Sequence, residues 1–207
     1  MTLKNQIRNF AFPILLLLLP SCADSINNLS KESYMADGFS PATLTRDGVA
    51  ITPTVAGSGT AKDASAIGAL IDTEMNTRNP SPGNLLLESQ VGQRLGKDSS
   101  LASLWNQMEP HISAHSIRGM TAARTFGKRL GVRYLLETQI QMAEIAGGAE
   151  QVRVYARIYD IRQDRIVWEG VGEGRGYEKI VFPSTPATFD VVARVAVRGL
   201  VDRLYGH

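Results

Sequence analysis

Residues 131–177 read GVRYLLETQIQMAEIAGGAEQVRVYARIYDIRQDRIVWEGVGEGRGY, and this stretch decides the fold. Three runs in it, 132–142, 151–160 and 165–177, have the composition of strands. Gly147-Gly148 and residues 162–164 supply the turns between them. In the middle run Val152, Val154, Ala156 and Ile158 take one face, and Arg153, Tyr155, Arg157 and Tyr159 the other, because side chains alternate along a strand. Three strands joined by short turns form an antiparallel meander. In the last run Gly170, Gly172, Gly174 and Gly176 recur at every second position, which makes one bare face that a helix or another backbone can approach closely.

Working upstream, Gly131 stops a helix that begins near Ser116 or Thr121 and ends at Leu130. Residues 49–55 form a first strand, with Pro53 marking an edge or an end. Asp63 caps a helix reaching about Arg78, whose Ile67, Leu70, Ile71 and Met75 share one face. Residues 79–83 stop it, and Leu85-Leu86-Leu87 reads as a short buried strand. Ser89 and Asp98 read as N-caps of two short helices, and residues 110–116 as a connection. Downstream, Thr185 as N-cap and Pro186 at the first helical position open a last helix to about Tyr205. That helix is apolar nearly all round, so it packs deeply or is partly covered by a partner. The predicted order is β-α-β-α(α)-β-β-β-α: an α/β fold of α+β type, one small domain, with helices on at least one face of a mixed sheet.

The 207 residues suit one such domain plus appendages. Of 22 Lys and Arg, Lys4 and Arg8 fall in residues 1–21, which hold no acid; the remaining 20 balance the 20 Asp and Glu. No basic stripe marks the folded part, which sets nucleic-acid binding aside. Residues 1–21 read as an export signal, with Lys4 and Arg8 before an apolar run of about ten residues, half the roughly 20 a spanning helix needs. Residues 22–46 are polar and without periodicity, and predict a flexible tether with a span of roughly 25–30 Å. The globular domain is expected over 47–207.

Leu19-Pro20-Ser21 precede Cys22, the single cysteine of the chain. This run resembles the lipobox of bacterial lipoproteins. The resemblance implies cleavage before Cys22 and a covalent lipid on its thiol, with no other cofactor. Ala23 in place of an aspartate directly after the cysteine points, by the same resemblance, to the outer membrane, periplasmic side. A second resemblance rests on Gly131-Val132-Arg133-Tyr134-Leu135-Leu136, on residues 152–160 and on Arg165-Ile166-Val167-Trp168-Glu169-Gly170. Over roughly residues 47–205 the chain resembles the small α/β domain of penicillin-binding-protein activator lipoproteins and curli-secretion-type lipoproteins. That implies a partner in peptidoglycan synthesis, secretion or envelope assembly.

Motifs of catalysis do not assemble. His111 and His115 are four apart but lack the glutamate and third ligand of a zinc helix, so no metal site is expected. The alternating glycines satisfy neither G-x-G-x-x-G nor the P-loop spacing. Neither G-x-S-x-G nor S-x-x-K occurs, and a triad would have to draw on His111, His115 or His207. Glu137, Glu169 and Glu173 could pair as glycosidase carboxylates, or serve as charges on a wet sheet face. Arg153, Tyr155, Arg157 and Tyr159 form the candidate partner-binding face, Arg and Tyr being enriched in interfaces. The sequence therefore predicts a lipid-anchored, non-catalytic accessory or scaffold protein that binds an envelope partner. A self-assembling structural component is the first alternative, and an envelope hydrolase the second.

Overall fold

The computed structural model describes residues 27–79, 82–114, 120–146, 148–178 and 185–206. Leu19, Pro20, Ser21, Cys22, His115, Gly147 and His207 lie outside them.

The meander is present and longer than expected. Strands β5 (Tyr134–Ala146), β6 (Ala149–Asp160) and β7 (Arg165–Glu178) pair antiparallel in sequence. Asp164, at φ 58°, turns β6 into β7. On the other side of β5 lies β3 (Val49–Ile51), parallel to it, and beyond β3 lies β4 (Leu85–Leu86), also parallel. β3 stops before Pro53, whose missing N–H cannot serve a ladder; Val55 then regains a single bridge to Gln139.

The segment expected to be a tether is sheet from Asn27 onward. β1 (Asn27–Asn28) and β2 (Lys31–Met35) pair antiparallel with β7, and α1 (Ala42–Asp47) follows. The physical reason is the second edge of β7. Left bare, a 14-residue strand would present a long row of unpaired backbone groups. Buried Ser30, Ala36 and Leu44 fasten the segment. The Arg203 side chain donates to the Ser30 carbonyl at 3.1 Å, and the Ser30 hydroxyl accepts from the Glu173 N–H at 3.1 Å. The full order across the sheet is β1-β7-β6-β5-β3-β4, with β2 continuing β1 along β7.

Helices cover both faces. On the first, α2 (Ala61–Arg78) and α6 (Phe189–Tyr205) bury Ile67, Ile71, Met75, Val192, Ala196 and Leu200 against Val152, Val154, Ala156, Ile158 and Trp168. Thr60 caps α2, and Asp63 closes a capping box with it rather than being the cap. The glycine stripe works as expected. A Cβ at Gly172 would meet the Ala196 carbonyl, and one at Gly174 the Val192 carbonyl. The α6 backbone therefore rests directly on β7. α6 starts three residues later than predicted, with Thr188 at its N-cap position; Thr185–Pro186 instead form β8, paired with the end of β7.

On the second face, α3 (Glu88–Lys97), α4 (Ser99–Ser113) and α5 (Met120–Leu130) enclose Ala50, Val55, Leu101, Met108, Ile112, Phe126, Leu135 and Tyr159. Asp98 caps α4, accepting from the Ser100 and Leu101 N–H groups at 3.0 Å each. Ser89 is not a cap. Asp72, from α2, accepts from the N–H groups of Glu88 (2.7 Å) and Ser89 (3.2 Å), so a neighbouring helix satisfies the donors at the start of α3. α4 runs through Pro110, where a connection was predicted, and buried Ile112 holds its last turn on this second core.

Candidate interaction surface

The side of the meander that carries Arg153, Tyr155, Arg157 and Tyr159 is a ladder of polar pairs. Register sets Glu137, Arg157 and Glu169 in one row across β5, β6 and β7, and Gln139, Tyr155 and Val171 in the next. The Arg157 guanidinium donates to the Glu137 carboxylate at 2.5 Å. Arg153 donates to Glu173 at 2.8 Å, the Tyr155 hydroxyl to Glu169, and the Tyr159 hydroxyl to Asp164.

The expectation of an outward-facing surface fails for three of the four residues. Tyr155 is 8%, Arg157 5% and Tyr159 2% exposed. Arg153 alone stays partly open, with 37% of its side chain accessible. Alternation established that the four share a side, but not that the side is wet. Tyr159 and Leu135 belong to the second core, and the ladder continues from that dry end. Burial pushes the Glu137 carboxyl upward, while the charge and hydrogen bond of Arg157 pull it down. Burial and the Glu169 carboxylate push the Tyr155 hydroxyl upward.

The three glutamates do not form a glycosidase pair. Glu137 and Glu169 flank Arg157 on alternate strands, about 9.6 Å apart at the usual strand spacing, with the guanidinium between them. A general acid and a nucleophile need open space between their carboxyl groups. Here a cation fills it.

A different surface emerges at the edge of the sheet. Leu29, Tyr34 and Met35, on the β1–β2 segment, are among the large apolar side chains left exposed, along with Ile145 near the tip of the β5–β6 hairpin. Trp168 beneath that edge is fully buried and its indole N–H donates to Glu32 at 3.3 Å. Sequence reasoning missed this edge because residues 27–35 show too few apolar positions to register as a strand.

A third place of note is a cleft of about 290 Å³ between α2 and α3, lined by Pro53, Gly68, Asp72, Glu88 and Gly92 among others. The Thr54 hydroxyl donates to Glu88 at 2.8 Å and shares a 2.9 Å hydrogen bond with Thr138. Burial raises the Glu88 carboxyl to about 7; hydrogen bonding from Thr54 opposes the shift and the nearby Asp72 charge adds to it. Among the described residues no group of three His, Cys, Asp or Glu could hold a metal ion, and no helix is long and apolar enough to cross a membrane. His111 sits in the last turn of α4.

No family model matches the sequence, and no curated protein matches it. Among solved structures, the chain is similar to the PelC dodecamer from Paraburkholderia phytofirmans, with 10% identity over 86% of this chain and 97% of that one, at a TM-score of 0.54. Weaker likenesses are to lipoprotein GNA1162 from Neisseria meningitidis (15% identity, 61% and 78% coverage, TM-score 0.41) and to the LpoB C-terminal domain from Salmonella enterica (18%, 67% and 86%, 0.37). With PelC the shared property is the fold, and a bacterial lipoprotein stands among the chain's structural neighbours.

Proposed function

We propose that this chain is a lipid-anchored, non-catalytic accessory protein of the bacterial envelope, fastened through Cys22 to the periplasmic side of the outer membrane, and that it works by binding protein. The observation that carries the reading is the fold likeness to PelC over 86% of the chain. The Leu19-Pro20-Ser21-Cys22 run supports the anchor. The pairing of Glu137, Glu169 and Glu173 with Arg157, Tyr155 and Arg153 supports a structural rather than catalytic role for these acids.

The built-in β1–β2 edge revises the reach of the anchor. Four residues lie between Cys22 and Asn27, and the five steps at 3.3–3.6 Å each span about 18 Å at most. The domain is held against the lipid surface rather than at arm's length, and partners meet it there. Partner contact is assigned to Arg153 and the exposed edge of Leu29, Tyr34 and Met35.

The test is crosslinking of native protein in membranes, with Cys22→Ala as control. Recovery of one envelope enzyme or machine, weakened in the control, supports the reading; recovery of the chain alone overturns the accessory role. A second reading, assembly into a ring, is favoured by the dodecamer that PelC forms. Concentration-dependent oligomers of the lipid-free domain in light scattering support it, and a monomer at all concentrations sinks it.

A further inference from the structure

The end of the sheet where β5 begins carries an open pocket of about 520 Å³, lined by Asp47, Arg124, Lys128, Arg133 and Arg162 among others. Four cations thus face one carboxylate. Counting Asp160 and Asp164, which pair with Arg133 and Arg124, the cluster still keeps a surplus positive charge. The basic side chains differ in how they are held.

Arg133 is fixed. Its guanidinium donates twice to Asp160, at 3.1 and 2.7 Å, and once to Asp47 at 2.5 Å, and it stacks 4.9 Å from the centre of the Tyr134 ring. Three of its five N–H donors are used there, which leaves two. Asp160 is itself held by the N–H groups of Arg162 and Gln163. Hydrogen bonds from Arg46 and Arg133 keep the Asp47 carboxyl down at about 2, so it stays ionised and offsets one of the four charges. Arg124 reaches Asp164, yet its buried Nε has no hydrogen-bond acceptor among the described residues. Lys128 and Arg162 are exposed and enter no ion pair among the described residues.

A guanidinium already locked in place, with donors to spare and two exposed cations beside it, suits a planar or tetrahedral oxyanion. Arg pairs with carboxylate and phosphate through two parallel hydrogen bonds, and little side-chain freedom is lost when the fork is pre-set. We propose that this pocket binds an oxyanion, a phosphoryl or carboxylate group, with Arg133 as the fixed donor and Lys128, Arg162 and Arg124 closing on it. Its position bears on the source. Asn27 pairs with Arg175, ten residues along β7 from Arg165, so the pocket lies roughly 33 Å from where the N-terminal segment enters the sheet. A lipid surface reached through Cys22 would lie beyond that opposite end. The binding assignment itself does not depend on the anchor.

The test is titration calorimetry of the lipid-free protein with inorganic pyrophosphate and, separately, citrate. The variants are Lys128→Ala/Arg162→Ala, both exposed, and a control at two distant exposed cations, Lys62→Ala/Arg198→Ala. The expected result is one-site saturation by at least one probe, weakened roughly tenfold or more by the first pair and unchanged by the control, with Tm unchanged in both. Equal weakening by both pairs would reduce the effect to general charge and overturn the proposal, as would the absence of saturation with either probe unless vesicle binding depends on the same pair. A third arm uses phosphatidylglycerol vesicles. Vesicle binding that is lost with Lys128→Ala/Arg162→Ala assigns the oxyanion to a lipid headgroup and supports the site. Vesicle binding indifferent to that pair, with neither soluble probe bound, overturns it.

Discussion

From Val154 to Asp160 the two sides of β6 are both dry and are built by opposite chemistry. Val152, Val154, Ala156 and Ile158 meet α2 and α6 through dispersion contacts alone, and two glycines of β7, Gly172 and Gly174, let the α6 backbone settle onto the sheet. One residue out of phase, Arg157 and Tyr159 are equally buried, yet each answers a carboxylate. The apolar side tolerates no added volume and the polar side tolerates no missing partner. A dry environment restricts shape on one side and charge balance on the other.

The largest effect is expected from breaking that charge balance. Arg157→Met leaves the Glu137 carboxylate buried and alone, which costs about 3–5 kcal/mol. Denaturant unfolding should show that loss near neutral pH and a smaller one in mild acid, where Glu137 takes up a proton. The double replacement Arg157→Met/Glu137→Leu should recover most of it. A double variant no more stable than the single one would show that the pair does more than satisfy itself.

Next in size is Glu88→Gln. The Glu88 carboxyl is raised from 4.5 to about 7 in the fold, so the native state holds its proton more tightly than the unfolded chain. Its contribution is therefore fully present below pH 4.5, is lost as pH rises to about 7, and is constant above. The span is on the order of 3 kcal/mol. Wild-type stability should decline across that window, and Glu88→Gln should remove the decline. An unchanged pH profile would place the proton elsewhere.

On the apolar side, Gly172→Ala drives a methyl group against the Ala196 carbonyl, and overpacking of this kind costs about 1–3 kcal/mol. A Tm fall of roughly 2–4 °C per kcal/mol follows for a domain of this size. The same change at Gly92, where a Cβ meets nothing within 4 Å, should leave Tm unaltered or slightly raised. The smallest effect belongs to Arg153→Ala. Its bond to Glu173 is partly exposed, so stability should move by less than about 1 kcal/mol. A comparable stability with weakened partner capture in membranes would mark Arg153 as an interface residue.

Much of this architecture is legible in the sequence. The meander, its two turns, the Asp98 cap and the stop at Gly131 all rest on neighbours close in sequence, where alternation and turn chemistry act. The glycine stripe even announced the close approach of a backbone. The edge residues Leu29, Tyr34 and Met35 were not legible, because a short strand pinned by β7 needs no periodicity of its own. The basic pocket was equally hidden: Asp47, Lys128, Arg133 and Arg162 are scattered along the chain and converge where α1, α5 and the β6–β7 turn meet.

The sequence by itself determined the order of the elements from β3 to β7 and which side chains share a face, since both follow from bond geometry repeated every second or fourth residue. Whether the Arg–Tyr side was wet, which residue satisfied the start of α3, and that residues 27–35 pair with the sheet were decided by the tertiary structure. Each depends on a partner distant in sequence: the second core beside Tyr159, Asp72 sixteen residues before Glu88, and β7 some 140 residues beyond β1. A local pattern carries no record of such partners, because the energy that selects them appears only when the chain has closed on itself.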